Sequence, residues 1–283
     1  MTTTNSPIDR RTALRTLAAS AVVGVGGCLT ERGPRSDPGT GSATDTDGPS
    51  DGPFQAVGVD GTTLVVELAA ETAVAQVNLI KPNGELWGTR DVAAGAEQVS
   101  FVFRGAYTPG EYDVVGVDGE ETVAETSLEI RPELEIRAVG LYRNHPDKPW
   151  EEVYGESSSD SNFLINGEAF VTVENTGTGP ERINELTFTG DVPNPLDNPR
   201  GSGIHGKDNV VVPVGETVDV FSGSFPFGSV SEEGMGCSPD GNSGEFTVTL
   251  ETAVKAPPVA QTFHVQYSGS TQIDDCEISI SEE

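Results

Sequence analysis

The chain has 283 residues, with 45 Asp plus Glu against 16 Lys plus Arg, a formal charge of −29. Such a surface repels phosphate backbones and anionic lipid headgroups alike, which sets nucleic-acid binding and electrostatic docking on a membrane aside. Only 35% of residues are hydrophobic, while 34 Gly and 19 Pro point to many turns rather than long helices.

The first element is residues 1–27. Residues 9–28 read DRRTALRTLAASAVVGVGGC, with the pair Arg10 and Arg11, a third charge at Arg15 and an apolar run from Leu17 to Gly27. A spanning helix needs roughly 20 apolar residues, so this run is too short and too Gly-rich to stay in a bilayer. A charged start, a short apolar region and small residues before a cut site read as a cleavable export signal. Val25-Gly26-Gly27-Cys28 resembles a lipobox. The resemblance is to twin-arginine-exported lipoproteins, and it implies a lipid on Cys28 and a place on the outer face of the cell membrane. The alternative is an uncleaved anchor with an incidental cysteine. Cutting at Cys28 leaves 13 basic and 44 acidic residues, a net charge of −31. Together with a chain holding only 4 Lys, this resembles exported proteins of extremely halophilic archaea, and implies a fold that weakens as salt is diluted.

Residues 28–53 follow as a tether. Of residues 29–53, 20 of 25 are Gly, Pro, Ser, Thr or Asp. A segment with so little to bury cannot offset its chain entropy and is expected to be disordered, with a reach of about 25–30 Å.

From Phe54 the sequence alternates. LVVEL (64–68), AQVNLI (75–80), QVSFVF (98–103), YDVVGV (112–117) and TSLEI (126–130) read as strands separated by Gly, Asn, Asp and Pro turns. This predicts a small immunoglobulin-like sandwich over 54–131, with Tyr112 placed as its tyrosine corner. Arg131-Pro132 marks a junction with no linker-like stretch. The same grammar then runs through 132–283: LEIRAVGLY (134–142), EAFVTVEN (168–175), INELTFTG (183–190), VVVPV (210–214), ETVDVFSG (216–223), GEFTVTLETAV (244–254), AQTFHVQY (260–267) and CEISI (276–280). The segment FVTVENTGTGPERINELTF and the hairpin VPVGETVDV resemble CARDB-like adhesion modules, which implies a second, larger sandwich but no ligand. The fold class expected is therefore all-β, two antiparallel immunoglobulin-like sandwiches. Three long irregular stretches in the second, 143–162, 190–208 and 224–243, are where a site is expected.

Cys237 and Cys276 form an even pair in an exported chain, and most simply make one disulfide. A copper or catalytic thiol is the weaker reading, because His145, His205 and His264 are scattered. His264 alternates within a strand and is expected at the surface. The motif G-x-S-x-G at 48–52 lies in the tether and G-x-G-x-x-G at 201–206 opens no helix, so both are set aside. No cofactor is expected. Structural calcium is the one candidate, from Asp191, Asp197 and Asn198, from Ser159, Asp160 and Asn162, or from Asp274 and Asp275. Residues 142–154 place Tyr142, His145, Trp150 and Tyr154 on one Pro-rich loop, a candidate binding loop for a protein or glycan. The opposing reading is that these rings, like Trp87, Phe225 and Phe227, plug the open ends of small cores.

The function expected is that of a non-enzymatic surface lipoprotein, held to the membrane through Cys28, that contacts an envelope protein or glycan by adhesion, scaffolding or as an accessory module. The alternative is a solute-, glycan- or ion-binding lipoprotein serving a transporter or enzyme. An envelope hydrolase has only His145 with a loop acid such as Asp147 to draw on.

Overall fold

The computed structural model describes residues 52–103, 106–145, 147–155, 166–199, 201–228, 235–255, 257–270 and 275–282. Arg10, Arg11, Cys28 and the tether up to residue 51 lie outside them. Among the described residues no helix is long and apolar enough to cross a membrane.

The first module contains β1 (Phe54–Asp60), β2 (Thr63–Leu68), β3 (Gln76–Ile80), β4 (Leu86–Asp91), β5 (Gln98–Val102), β6 (Gly110–Asp118) and β7 (Glu121–Ile130). Alternation decides which faces meet. In β2, Leu64, Val66 and Leu68 point inward while Val65 and Glu67 face out. The sheet β1-β2-β5 packs on the sheet β4-β3-β6-β7, all pairs antiparallel. Leu64, Val66, Val77, Leu79, Phe101, Tyr112 and Val114 fill the space between them with at most 1% exposure. Each such side chain contributes roughly 1.5–3 kcal/mol over its exposed state. Tyr112 donates its phenolic hydrogen to the Thr108 carbonyl at 2.9 Å, the geometry of a tyrosine corner. Burial pushes this phenol up to about 12.

The second module contains β8 (Leu134–Leu141), β9 (Ala169–Asn175), β10 (Glu181–Gly190), β11 (Val210–Val212), β12 (Thr217–Phe221), β13 (Asn242–Thr252), β14 (Val259–Gly269) and β15 (Cys276–Glu282). Its sheets are β12-β9-β8 and β11-β10-β13-β14-β15. The order repeats that of the first module: first, second and fifth strands in one sheet, fourth, third, sixth and seventh in the other. Only β15 is added, against β14. Both modules are thus immunoglobulin-like β-sandwiches. The cores are separate hydrophobic clusters, yet the described residues form one compact unit.

That unity comes from the Asn-Thr-Gly turn after β9. Asn175 is fully buried; its amide donates to the carbonyls of Gly179 (2.9 Å) and Val212 (3.1 Å), and its Oδ1 accepts from the N–H of Gly177 and Glu133. All four capacities of one side chain shape a turn that lies on the junction 131–133. A Cβ on Gly177 would collide with the Arg131 carbonyl, and one on Gly179 with the Tyr107 hydroxyl. Tyr107 donates to the Pro180 carbonyl, the Arg131 N–H to Thr178 Oγ1, and the Val214 N–H to the Gly61 carbonyl. The Arg131 carbonyl accepts from the Thr178 and Gly179 N–H groups in turn, so hydrogen bonds tie the second module to both the first module and the three-residue linker.

The stretch from 143 differs from the irregular loop expected. A 3-10 turn at Tyr142–Asn144 leads into a short helix α1 (Trp150–Tyr154). Pro149 fixes the backbone entering α1, Glu151 and Glu152 favour its first turn, and Gly155 ends it at φ 84°. Five residues cannot sustain a helix by propensity, so packing must do so.

Candidate functional site

Residues 142–145 and 147–155 form a strap against the second module. Tyr142, Trp150 and Tyr154 build a small core of their own, at 4%, 9% and 8% exposure. Trp150 stacks on Tyr154 with ring centroids 4.1 Å apart, and Tyr142 meets both edge-on at 5.2 Å. The Tyr142 hydroxyl donates to the Lys148 carbonyl at 2.6 Å, closing the loop on itself. The rings of the candidate binding loop thus pack on one another, as the plug reading expects. The rings are packed inward over Phe221, because three large apolar faces gain more from each other than any one gains at the surface.

His145 is likewise turned inward. Its side chain is 7% exposed; Nε2 donates to Asp219 Oδ2 at 3.0 Å and Nδ1 accepts the Asp147 N–H at 3.3 Å. Asp219 also accepts from Thr172 Oγ1 at 2.7 Å. Nε2 thus pins the strap onto β12, while Nδ1 is spent within the strap. The carboxylate partner is Asp219 rather than Asp147, whose backbone alone reaches the ring.

Between the strap and the 201–209 loop lies a recess of about 200 Å³. Val153 and Phe221 form its apolar side, and Lys148, His205, Lys207 and Asp219 its polar rim. Lys148 pairs with Glu152 at 3.2 Å. His205 lies with its ring 4.2 Å from Tyr154, and burial lowers its pKa. Loops from separate parts of the sequence thus bring two of the three histidines and two of the four lysines to the strap and its recess.

Behind the strap sits a buried carboxyl that sequence reasoning missed. Glu168 is 5% exposed and Ser222 fully buried. The Ser222 hydroxyl donates to Glu168 and accepts the Ala169 N–H at 2.9 Å. The Tyr154 hydroxyl donates to the Ser222 carbonyl at 3.3 Å, beside Glu168. Burial pushes Glu168 up to about 7, against the lowering effect of the two hydroxyls. Burial pushes Tyr154 up as well. Nothing in the alternation marks Glu168, because it precedes the strand that buries Ala169, Val171 and Val173.

The remaining candidates fall as follows. Cys237 and Cys276 are joined as a disulfide, Cα atoms 5.6 Å apart, tying the 235–241 loop to β15. His264 is exposed on β14 beside Glu245 at 3.3 Å. Phe227 is buried in the second core, and Trp87 packs beside Phe103 and Tyr112. Asp191 Oδ2 accepts the Glu245 N–H, while Asp197 and Asn198 are exposed. Ser159, Asp160, Asn162 and Asp274 lie outside the described residues. Among the described residues no three His, Cys, Asp or Glu side chains converge as metal ligands.

No protein-family model matches this sequence, and no curated protein matches it. Solved structures with a partial likeness include a glycosyl hydrolase family 2 member from Bacteroides cellulosilyticus, 16% identical over 72% of this chain and 24% of that one, TM-score 0.21. A two-domain fibronectin type III segment from chicken tenascin is 11% identical over 81% and 98%, TM-score 0.25. The human OSCAR ligand-binding domain is 14% identical over 79% and 92%, TM-score 0.20. This chain matches about a quarter of the hydrolase's length. The fold assignment rests on this chain's own strand order and register.

Proposed function

We propose that this protein is an exported lipoprotein, anchored through Cys28, whose joined sandwiches bind another component of the cell envelope rather than catalyse a reaction. The observation that carries the reading is the order of Arg10-Arg11, a short apolar run, Val25-Gly26-Gly27-Cys28 and a Gly/Pro/Ser/Thr/Asp-rich tether ahead of the first strand. The junction supports it, since two modules bonded to each other across three residues present their far end at a fixed distance from the tether. An anchored tether of about 25–30 Å reach would let that end search a shell above the bilayer. The Lys-poor acidity accords with exported proteins of halophilic archaea.

Cross-linking in intact cells at native salt, followed by identification of what co-purifies, tests this. A stoichiometric partner lost in Cys28→Ser is expected. A protein that stays with the cytoplasm in both forms would overturn the reading. The recess favours a second reading, a solute- or ion-binding lipoprotein serving a transporter. Micromolar binding of a small solute, lost in Lys207→Gln, is its signature.

A further inference from the structure

The recess beside the strap is assembled by the fold rather than by any one loop. Strands β11 and β12 are edge strands of opposite sheets; the first brings Val210 to the recess, the second Asp219 and Phe221. The strap adds Lys148, Glu152 and Val153, and the 201–209 loop His205 and Lys207. The charges of the lining cancel. Two ammonium groups stand with two carboxylates, and burial favours the neutral form of the His205 imidazole. Lys148 and Glu152 neutralise each other at 3.2 Å. Both Asp219 oxygens already accept a hydrogen bond, one from His145 and one from Thr172, and each keeps a lone pair to share. Among the described residues no hydrogen-bond partner reaches the Lys207 ammonium or the His205 ring nitrogens. The lining thus offers donors and acceptors side by side around an apolar floor, with no net charge.

We propose that this recess takes one neutral sugar ring, and that the envelope component the modules contact is a neutral glycan. The proposal rests on the binding reading above and names the chemistry of the partner. A sugar hydroxyl both donates and accepts, so it can take a hydrogen from Lys207 or His205 and give one to Asp219 or Glu152. The C–H face of the ring would lie on Phe221, Val153 and Val210. Ions fit less well. An anion would be drawn to Lys207 but repelled by a chain carrying −29. A cation would find both carboxylates already engaged. Either would also give up hydration on entry, which costs far more for a charge than for a hydroxyl. The recess, about 200 Å³, is smaller than the roughly 300–1,000 Å³ that encloses a drug-sized ligand, so one ring enters and its neighbours in the glycan stay outside. A ring held on one side gains little beyond the cost of association, and a Kd on the order of 1 mM is expected for a single unit.

The test titrates the full chain with the methyl glycosides of glucose, galactose and mannose, read by saturation-transfer NMR on the sugar protons. Binding of at least one glycoside is expected, with a strength that does not change between about 1 M and 4 M NaCl, because screening does not act on a neutral ligand. Lys207→Ala and His205→Ala should each weaken it about fivefold or more through the lost hydrogen bonds. Lys207 is exposed, so its variant decides the matter should His205→Ala not fold. Lys255→Ala, at the junction and outside the recess, should bind as the parent does. Three results overturn the proposal: no glycoside bound at about 50 mM, far above the expected Kd; binding that survives Lys207→Ala undiminished; or displacement of the sugar by acetate or glycine, which would make the recess an ion or zwitterion site. A partner captured by cross-linking in cells while no glycoside binds would remove the glycan and leave the binding reading standing.

Discussion

The Tyr107 hydroxyl of the first module donates to the Pro180 carbonyl of the second at 3.0 Å, with both groups buried. Burial and the nearby Glu181 push the phenol above its ordinary range, so it stays protonated, and a donor, at neutral pH. Glu181 in turn accepts the N–H groups of Val254 and Lys255, and Val254 packs against the first core. One carboxylate and one phenol thus join two sandwiches that each have a core of their own.

Gly179→Ala should break that join, since its methyl falls on the Tyr107 hydroxyl and beside Ile130. A cost of about 1–3 kcal/mol is expected from the overpacking. Calorimetry should show one unfolding transition splitting into two. Tyr107→Phe should cost about 1 kcal/mol by the same assay without the split. A single transition at an unchanged temperature in Gly179→Ala would remove the coupling inferred here.

Reduction of Cys237–Cys276 opens a loop with a sequence separation of 39. In the chain-entropy model this costs roughly 3–4 kcal/mol. Denaturant unfolding with and without reductant measures it directly. Cys237→Ser should match the reduced protein, because the bond acts mainly on the unfolded chain.

Glu168 makes part of the stability pH-dependent, with a definite sign. Its folded pKa is raised, so the folded state holds a proton that the unfolded state has lost between about 4.5 and 7. That stability is complete below 4.5 and is lost as pH rises through 7, by up to about 3 kcal/mol. Urea midpoints at pH 5 and pH 8, compared between the parent and Glu168→Gln, isolate the effect. Equal pH slopes in the two proteins would refute it.

Salt acts through the net charge of −29. The Debye length grows from about 3 Å at 1 M salt to about 10 Å at 0.1 M, so carboxylates that ignore each other in brine repel when it is diluted. The melting temperature is expected to fall on dilution from about 4 M to about 0.1 M NaCl. An unchanged value would remove the halophilic reading.

Strands were legible in the sequence wherever one face is buried. β2, β5 and β9 alternate, and their ranges match the apolar-polar text to within a residue at each end, while β13 starts and ends two residues earlier than its text. β4 was not legible. It is an edge strand whose residues are half-buried or exposed, so LWGTRD carries no period of two. β1 was hidden by a bulge between Phe54 and Ala56 that shifts its register. The aromatics of the strap could be read, but not which way they face, since Tyr142, Trp150 and Tyr154 suit an exposed loop and a buried plug equally well. Glu168, Ser222 and Asp219 could not be read as a set at all. They stand on two separate segments, Glu168 before β9 and the other two at β12, and meet the strap only through the folding of β9 against β12.

The outer strands β7 and β15 carry a further consequence for the protein as a population. Glu121, Glu125 and Glu129 are exposed along β7, and Glu277 and Glu282 along β15. A free strand edge is a template on which a neighbouring copy can extend the sheet, and rows of carboxylates make that contact repulsive. Crowded copies should therefore keep their distance for as long as those acids are ionised and poorly screened. Acidification of a concentrated sample should draw the copies together edge to edge, starting from these two rows.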